Sequence, residues 1–164
     1  MSRYRAPGPA KSPYITPQGM RSLLNEQKSL WLRRREVVAA LSAAAAEGDR
    51  SENAEYIYRK KELRELDRRI RYLQKRLPDL NVVDQKPAQT ERVFFGAEVS
   101  LEDEEGKLFN YRIVGPDEFD HAENYISVDS PLAQSLLKRE LGDEVVVEVP
   151  SGRMTYFITE IAYQ

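Results

Sequence analysis

The sequence predicts an α+β protein: an antiparallel coiled-coil hairpin of two helices, followed by an antiparallel β-sheet domain that carries one helix. Three observations predict it. Apolar residues recur at three-four spacing through residues 20–77, β-branched and aromatic residues cluster in short runs after residue 92, and Gly48 and Pro78 interrupt the first pattern where a bend and an end are required. Of the 164 residues, 32% are charged. That is high for a single compact core and points to a small domain with an elongated, solvated helical appendage.

Taken in order, residues 1–15, "MSRYRAPGPAKSPYI", carry three prolines and three basic residues with no hydrophobic period, which predicts a flexible tail. The hairpin is expected over 16–78. Thr16 followed by Pro17 suits a helix start, because the threonine oxygen can accept an orphan amide and proline fits the first turn. Met20, Leu23, Leu24, Leu30, Trp31, Val37, Val38 and Leu41 then form a stripe that runs into the alanines of 43–46, where a partner helix can approach closely. After Gly48, the residues Tyr56, Leu63, Leu66, Ile70, Leu73 and Leu77 fall on heptad a and d positions, with Arg59 at one d position. A turn at 47–50 joins the two stripes, and at about 1.5 Å per residue roughly thirty helical residues make a rod of ~45 Å.

Residues 79–91 lose the helical period and contain Pro87, which predicts a linker. Strands are expected in "RVFFGAEVSLE", "KLFNYRIVG", "NYISVD", "EVVVEVP" and "RMTYFITEIAY", with turns at Glu105-Gly106, Gly115-Pro116 and Ser151-Gly152. Between the third and fourth, Ser130 caps a helix, Pro131 occupies its first turn, Leu132, Leu136 and Leu137 form its apolar face, and Gly142 stops it. The second domain therefore spans 92–164.

The absence of cysteine excludes disulfides and thiolate metal sites. No long apolar run or signal-like segment is present, so the expectation is a soluble cytoplasmic protein with no membrane partner. The formal net charge of -2 hides separated blocks, basic over 59–76 and acidic over 98–105. His121 has no second histidine or cysteine beside it and reads as surface. No phosphate-binding glycine loop, metal trio or nucleophile elbow appears.

Two stretches carry chemistry. At the bend, Glu47, Asp49, Glu52 and Glu55 place four carboxylates within nine residues. One account makes Asp49 the cap of the second helix and Glu52 its capping-box partner. The other makes them outward-facing oxygen donors: if the second helix starts by Asp49, the i, i+3 spacing puts Asp49, Glu52 and Glu55 on one side of its end. Magnesium takes such oxygens but commonly only one or two from protein, so the tip alone would bind it weakly. Below the tip lie Arg59, Lys60, Lys61, Arg64, Arg68, Arg69, Arg71, Lys75 and Arg76. They form either a solvated face with pairs such as Glu65 with Arg69, or a track for a phosphate backbone, of RNA or DNA, without base reading.

"GDRSENAEY" at 48–56 and "ISVDSPLAQSLLKRELGDEVVVEVPSG" at 126–152 resemble the tip motif and the C-terminal signature of the bacterial Gre transcript cleavage factors. "YRKKELRELDRRIRYL" at 58–73 and "VFFGAEV" at 93–99 are similar to the GreB branch. The resemblance spans nearly all of 16–164. It implies an FKBP-like second domain and an accessory factor of RNA polymerase rather than a self-contained enzyme. In that reading the second domain docks at the rim of the polymerase secondary channel, and the finger enters it. The tip helps hold the second Mg2+ of the polymerase active site, where backtracked RNA is cut.

Carried over by position, Asp49 is the implied metal contact, and Glu52 a ligand or water-orienting partner. Glu55 supports them electrostatically, while Arg50, Ser51 and Asn53 shape the tip or touch RNA or polymerase. Asp129, Ser130 and Pro131 would grip the channel rim. Arg59, Lys60, Lys61, Arg64, Arg68, Arg69 and Arg71 would follow the extruded 3′ end of the RNA. Three rival expectations remain: a channel-binding inhibitor without cleavage, a general nucleic-acid-binding hairpin, and a prolyl isomerase whose pocket would use Phe94, Phe95, Phe109, Tyr111 and Phe157.

Overall fold

A computed structural model describes residues 10–48 and 53–164. The chain divides into two compact units, Met20–Leu80 and the residues up to Gly19 together with Asn81–Gln164.

The helical unit is built on α1, Pro17–Ala45, and α2, Ala54–Arg76. On α1 the seam recurs every seven residues at Leu23, Leu30, Val37 and Ala44; Leu23, Val37 and Ala44 are buried and Leu30 half-buried. Ile70 and Leu73 are the buried seam residues of α2. The expected stripe on α1 was broader than the seam. Leu24, Trp31 and Val38, each one residue past a seam position, stay exposed, because a single partner helix covers only the narrow a/d stripe. Ion pairs flank the seam instead: Arg34 Nε–Asp67 at 2.7 Å, Arg33 Nη2–Glu62 at 2.7 Å, and Arg69 to both Glu26 oxygens at 2.6 and 2.9 Å. Arg69 thus pairs across the hairpin and not with Glu65.

The globular unit starts earlier than a tail ending at residue 15 would allow. Tyr14–Ile15 form β1, which pairs in parallel with β2, Asn81–Val82, in the stretch expected to be a linker. Asn81 N–H donates to Pro13 O at 2.7 Å and Val83 N–H to Ile15 O at 2.9 Å. Ile15 is fully buried and Thr16 nearly so. A two-residue strand carries no readable period, which is why both stretches look irregular in sequence.

The main sheet has the order β5-β4-β3-β7-β6, built from β3 Glu98–Asp103, β4 Leu108–Val114, β5 Tyr125–Ser127, β6 Glu144–Val149 and β7 Gly152–Ala162. All neighbours are antiparallel except β4 and β5. The expected antiparallel sheet is therefore mixed at one edge. Residues 92–96 do not extend β3. Gly96 adopts φ +87 and its N–H reaches Ile113 O at 2.8 Å, so the chain turns before the strand begins.

Ser130 caps α3, Pro131–Leu136, by accepting from Ala133 N–H at 3.2 Å. The helix ends before Gly142, because Lys138 already takes a positive φ of 69. Ala133 and Leu136 bury against Val99, Leu101, Ile113, Val145, Val147 and Ile158. That core holds the sheet and the loop before α3 in register.

A buried carboxylate ties the start of α1 into this unit. Glu118, 1% exposed, accepts from Thr16 N–H at 2.8 Å, from the Thr16 hydroxyl, and from Gly115 N–H at 3.0 Å. Thr16 Oγ1 in turn accepts from Gly19 N–H at 3.1 Å, the capping role expected of it. The fit leaves no room for side chains at two glycines. A Cβ on Gly19 would lie 2.3 Å from Glu118 Oε1, and one on Gly115 2.0 Å from Tyr14 O.

Candidate functional site

The hairpin bend begins where α1 ends at Ala45 and Gly48 takes φ +125, a left-handed conformation that glycine adopts without strain. Asp49, Arg50, Ser51 and Glu52 lie outside the described residues. The next residue, Asn53, decides between the two accounts of the acidic cluster. It is the N-cap of α2: with φ -86 and ψ 100, its Oδ1 accepts from Tyr56 N–H at 3.1 Å. The same side chain donates through Nδ2 to Ala44 O at 2.8 Å, stitching the end of α1 to the start of α2.

Asp49 is therefore not the cap of α2, and Glu52 is not the N3 residue of a capping box. The helix starts at Ala54, so Asp49 and Glu52 precede it in the chain. Both accounts placed the helix start four or five residues early. Competing carboxylates in the preceding segment masked the asparagine as the capping residue.

Glu55 does lie in the first turn, where its charge favours the helix dipole. It pairs with Arg59 at 2.8 Å, and Arg59 also reaches Glu62 at 3.0 Å. Burial pushes the Glu62 carboxyl up, but hydrogen bonds from Arg33 and Arg59 outweigh it and leave Glu62 below the ordinary glutamate range. Hydrogen bonds to Glu55 and Glu62 raise the Arg59 guanidinium, and those to Glu62 and Glu36 raise Arg33.

The basic residues of α2 consequently form two populations. Arg59 and Arg69 are half-buried and neutralised by Glu55, Glu62 and Glu26. Lys61, Arg64, Arg68, Arg71 and Lys75 are exposed, recur at three-four spacing along one face, and make no ion pair among the described residues. Lys60 stands next to this stripe with its Nζ 5.7 Å from the Tyr56 ring centroid. Of the seven cations expected to track RNA, Lys60, Lys61, Arg64, Arg68 and Arg71 are available, whereas Arg59 and Arg69 serve the hairpin. Sequence reasoning could not set Arg69 apart, since its partner Glu26 lies 43 residues away, whereas Glu55 and Glu62 at helical spacing from Arg59 were a signal that could have found its pairing.

In the globular unit Asp129, Ser130 and Pro131 lie together at the N-terminal end of α3. Ser130 is its cap and Pro131 its first residue. The Asp129 carboxylate accepts from Ser12 N–H at 2.9 Å and from the Ser12 hydroxyl, while its own N–H donates to Ser127 Oγ at 3.1 Å. Ser12, read as tail, is the residue the sequence could not reveal here, 117 positions from its partner.

The aromatic pocket expected of a prolyl isomerase is not assembled. Phe109 stacks on Tyr111 and meets Tyr156 edge-on in the core, Phe95 lies against Tyr14, and Phe157 faces solvent at the opposite side of the sheet. His121 lies 3.8 Å from Asp120 in an exposed turn. No group of three or more metal-ligating side chains occurs among the described residues, and no helix among them is long and apolar enough to cross a membrane.

Comparison with known proteins supplies the family. The N-terminal domain description "Transcription elongation factor, N-terminal" matches residues 13–82, and "Transcription elongation factor, GreA/GreB, C-term" matches 88–163. The transcription elongation factor GreB of Pseudomonas aeruginosa is 56% identical over 164 residues, covering 99% of this chain and 98% of its own. The chain belongs to the GreA/GreB family of transcription elongation factors. GreB of Haemophilus influenzae is likewise 56% identical, over 156 residues that cover 94% of this chain and 99% of its own. Among solved structures, GreA factor homolog 1 of Thermus thermophilus covers 93% of this chain and 99% of its own at 21% identity, with a TM-score of 0.43. As a GreA/GreB family member the chain carries the acidic "GDRSENAEY" bend between its two long helices and the "DSP" loop on its sheet domain.

Proposed function

We propose that this factor binds RNA polymerase, enters its secondary channel with the hairpin bend leading, and stimulates the polymerase's own cleavage of backtracked RNA, thereby rescuing arrested complexes in the cytoplasm. The observation that supports it most directly is the Asn53 clasp. Asn53 caps α2 and bonds Ala44 O, so described residues on both sides of the bend close the hairpin, and the Asp49 and Glu52 carboxylates would serve a partner outside the chain.

The donor chemistry fits a hard cation: carboxylate oxygens suit Mg2+, which completes its octahedron with water and phosphate. Asp49 would hold the ion together with the polymerase's own ligands, and Glu52 would ligate it or orient a water. In a two-metal site, the ions stabilise attacking and leaving oxygens and lower the pKa of bound water. Gly48 and Asn53 flank the segment that carries these residues. Glu55, already paired with Arg59, adds negative potential behind them. Lys60, Lys61, Arg64, Arg68 and Arg71 would attract the extruded RNA 3′ segment through its phosphates, independent of sequence. Asp129, Ser130 and Pro131 would dock on the channel rim, with the Asp129 carboxylate fixed by Ser12.

The test is a stalled, backtracked elongation complex supplied with Mg2+ and the factor. Short 3′ RNA fragments are expected. Asp49→Asn should lower their rate on the order of a hundredfold, the scale of losing one group that stabilises transition-state charge, while binding to polymerase is unchanged. Full stimulation by Asp49→Asn at limiting Mg2+ would refute the metal role. Tight binding by the wild-type factor without fragments would make it a channel inhibitor instead.

A further inference from the structure

Arg112, in the middle of β4, is only 5% exposed. Strand alternation sends its neighbours Tyr111 and Ile113 toward the main core, so Arg112 lies on the opposite face of the sheet. Its hydrogen bonds are few and long: Nε donates to Gly96 O at 3.4 Å and Nη1 to the Tyr125 hydroxyl at 3.4 Å, with the guanidinium 5.7 Å from the Tyr125 ring centroid. Nη2 bonds no described residue, and since no fully buried side-chain nitrogen or oxygen among them lacks a partner, this corner of the guanidinium meets solvent. Glu98 is its cross-strand neighbour on β3, yet neither Glu98 nor any other described carboxylate forms an ion pair with it within 4.0 Å. A buried guanidinium is ordinarily paired, because removing its charge from water is costly and its planar fork of donors matches an oxyanion.

The guanidinium lines a cavity of about 160 Å3 together with Lys86, Phe95 and the Thr16–Gln18 segment, all within the globular unit. That volume is roughly ten times what one water needs. Lys86 borders the cavity, is exposed, and makes no ion pair among the described residues. Asp84 also borders the cavity without pairing with either cation. The start of α1 does not add to the attraction, since Glu118 already occupies it. Arg112 and Lys86 therefore carry it.

We infer that this cavity binds a phosphate group, with the Arg112 guanidinium as a planar fork on its oxygens and Lys86 as a second cation at the mouth. The site shares no residue with the acidic bend or the Asp129 loop, and it does not depend on the polymerase reading. Free phosphate and a phosphate ester share this chemistry, and titration separates the two sources.

The experiment uses the full chain at constant ionic strength, with chloride balancing each addition. Inorganic phosphate, a nucleoside 5′-monophosphate and the same nucleoside without phosphate are titrated in turn. Binding is read by calorimetry and by the NMR shift of the Arg112 Nε–H. Saturable binding of at least one phosphate-bearing probe is expected, with none by the nucleoside. Binding of both probes identifies the phosphate itself as sufficient, and binding of the monophosphate alone identifies an ester.

Arg112→Gln should weaken binding about tenfold or more. Arg112→Lys should recover only part of it, because an ammonium lacks the bidentate fork. Lys86→Ala, at a position outside the core, should weaken it about threefold. It decides the matter if the Arg112 variants do not fold. A response that never saturates, equal binding by the nucleoside, or wild-type affinity in Lys86→Ala together with any folded Arg112 variant overturns the inference.

Discussion

In the helical hairpin, charged side chains flank a thin apolar seam and pair with one another in water, as Arg34 does with Asp67 and Arg33 with Glu62. In the globular unit, Glu118 is taken out of water altogether, and backbone amides and a threonine hydroxyl satisfy it. Partly exposed pairs are screened and contribute little each, whereas a buried carboxylate leaves several donors unsatisfied if it is lost. The hairpin is thus held by many weak, salt-sensitive contacts that keep its charge accessible to a partner. The globular unit is held by few contacts that do not tolerate change.

Removing Glu118 should give the largest effect. Glu118→Ala leaves Thr16 N–H, Gly115 N–H and the Thr16 hydroxyl without their acceptor, which costs on the order of 3 kcal/mol. The melting temperature of the globular unit should then fall by roughly 10 °C, while the circular dichroism of α2 persists. An unchanged melting temperature would mean that water replaces the carboxylate at no cost, and the contrast between the units would disappear.

The two cation populations of α2 allow a sharper comparison inside the hairpin. Reversing the exposed residues with Arg64→Glu and Arg68→Glu should lower stimulated cleavage on the order of tenfold at low salt, with the gap narrowing as salt is raised. Hairpin stability should change little. Arg59→Gln with Arg69→Gln should do the opposite, lowering helix stability through lost pairs with Glu55, Glu62 and Glu26 and leaving the salt slope of cleavage intact. If both double variants change the salt slope equally, the separation into track and scaffold is wrong.

Ser12→Ala probes whether the globular unit presents its loop as rigidly as it packs its core. Losing the hydroxyl bond to Asp129 should weaken competition for polymerase about fivefold, equivalent to ~1 kcal/mol, and Ser12→Thr should restore it. Asp129→Asn supplies the calibration: if it weakens docking and Ser12→Ala does not, the loop is rigid without Ser12.

The sequence displayed long-range order wherever a period repeats and concealed it wherever a single contact decides. Heptad spacing announced the hairpin, Gly48 its bend and Pro78 its end, because each acts through neighbouring residues. Thr16 and Ser130 were legible as caps for the same reason. The pairing of β1 with β2, the burial of Glu118 and the hold of Ser12 on Asp129 all join residues far apart in the chain, and no local pattern reports them. The four acids around the bend make Asn53 inconspicuous, so the sequence pattern puts the start of α2 too early. Arg112 is equally opaque: in "NYRIVG" it looks like an outward-facing strand residue, and only the chain folded over that face shows it to be buried.

The smallest expected effect concerns Glu62, where the hairpin's dependence on charge should appear as a dependence on pH. Its folded carboxyl lies below its ordinary value of 4.5, so the folded state binds the proton less readily than the unfolded chain. The stability it contributes is complete above that ordinary value and is lost as pH falls through the lower folded value. Helicity of the hairpin against denaturant should therefore hold level down to about pH 5 and decline on further acidification, with added salt shrinking the decline. Other carboxylates titrate nearby, so the informative quantity is the difference from Glu62→Gln, which should start slightly less stable and lose less between about pH 5 and about pH 3. If wild type and Glu62→Gln decline in parallel, the pairs with Arg33 and Arg59 contribute nothing in solution, and the seam alone holds the helices together.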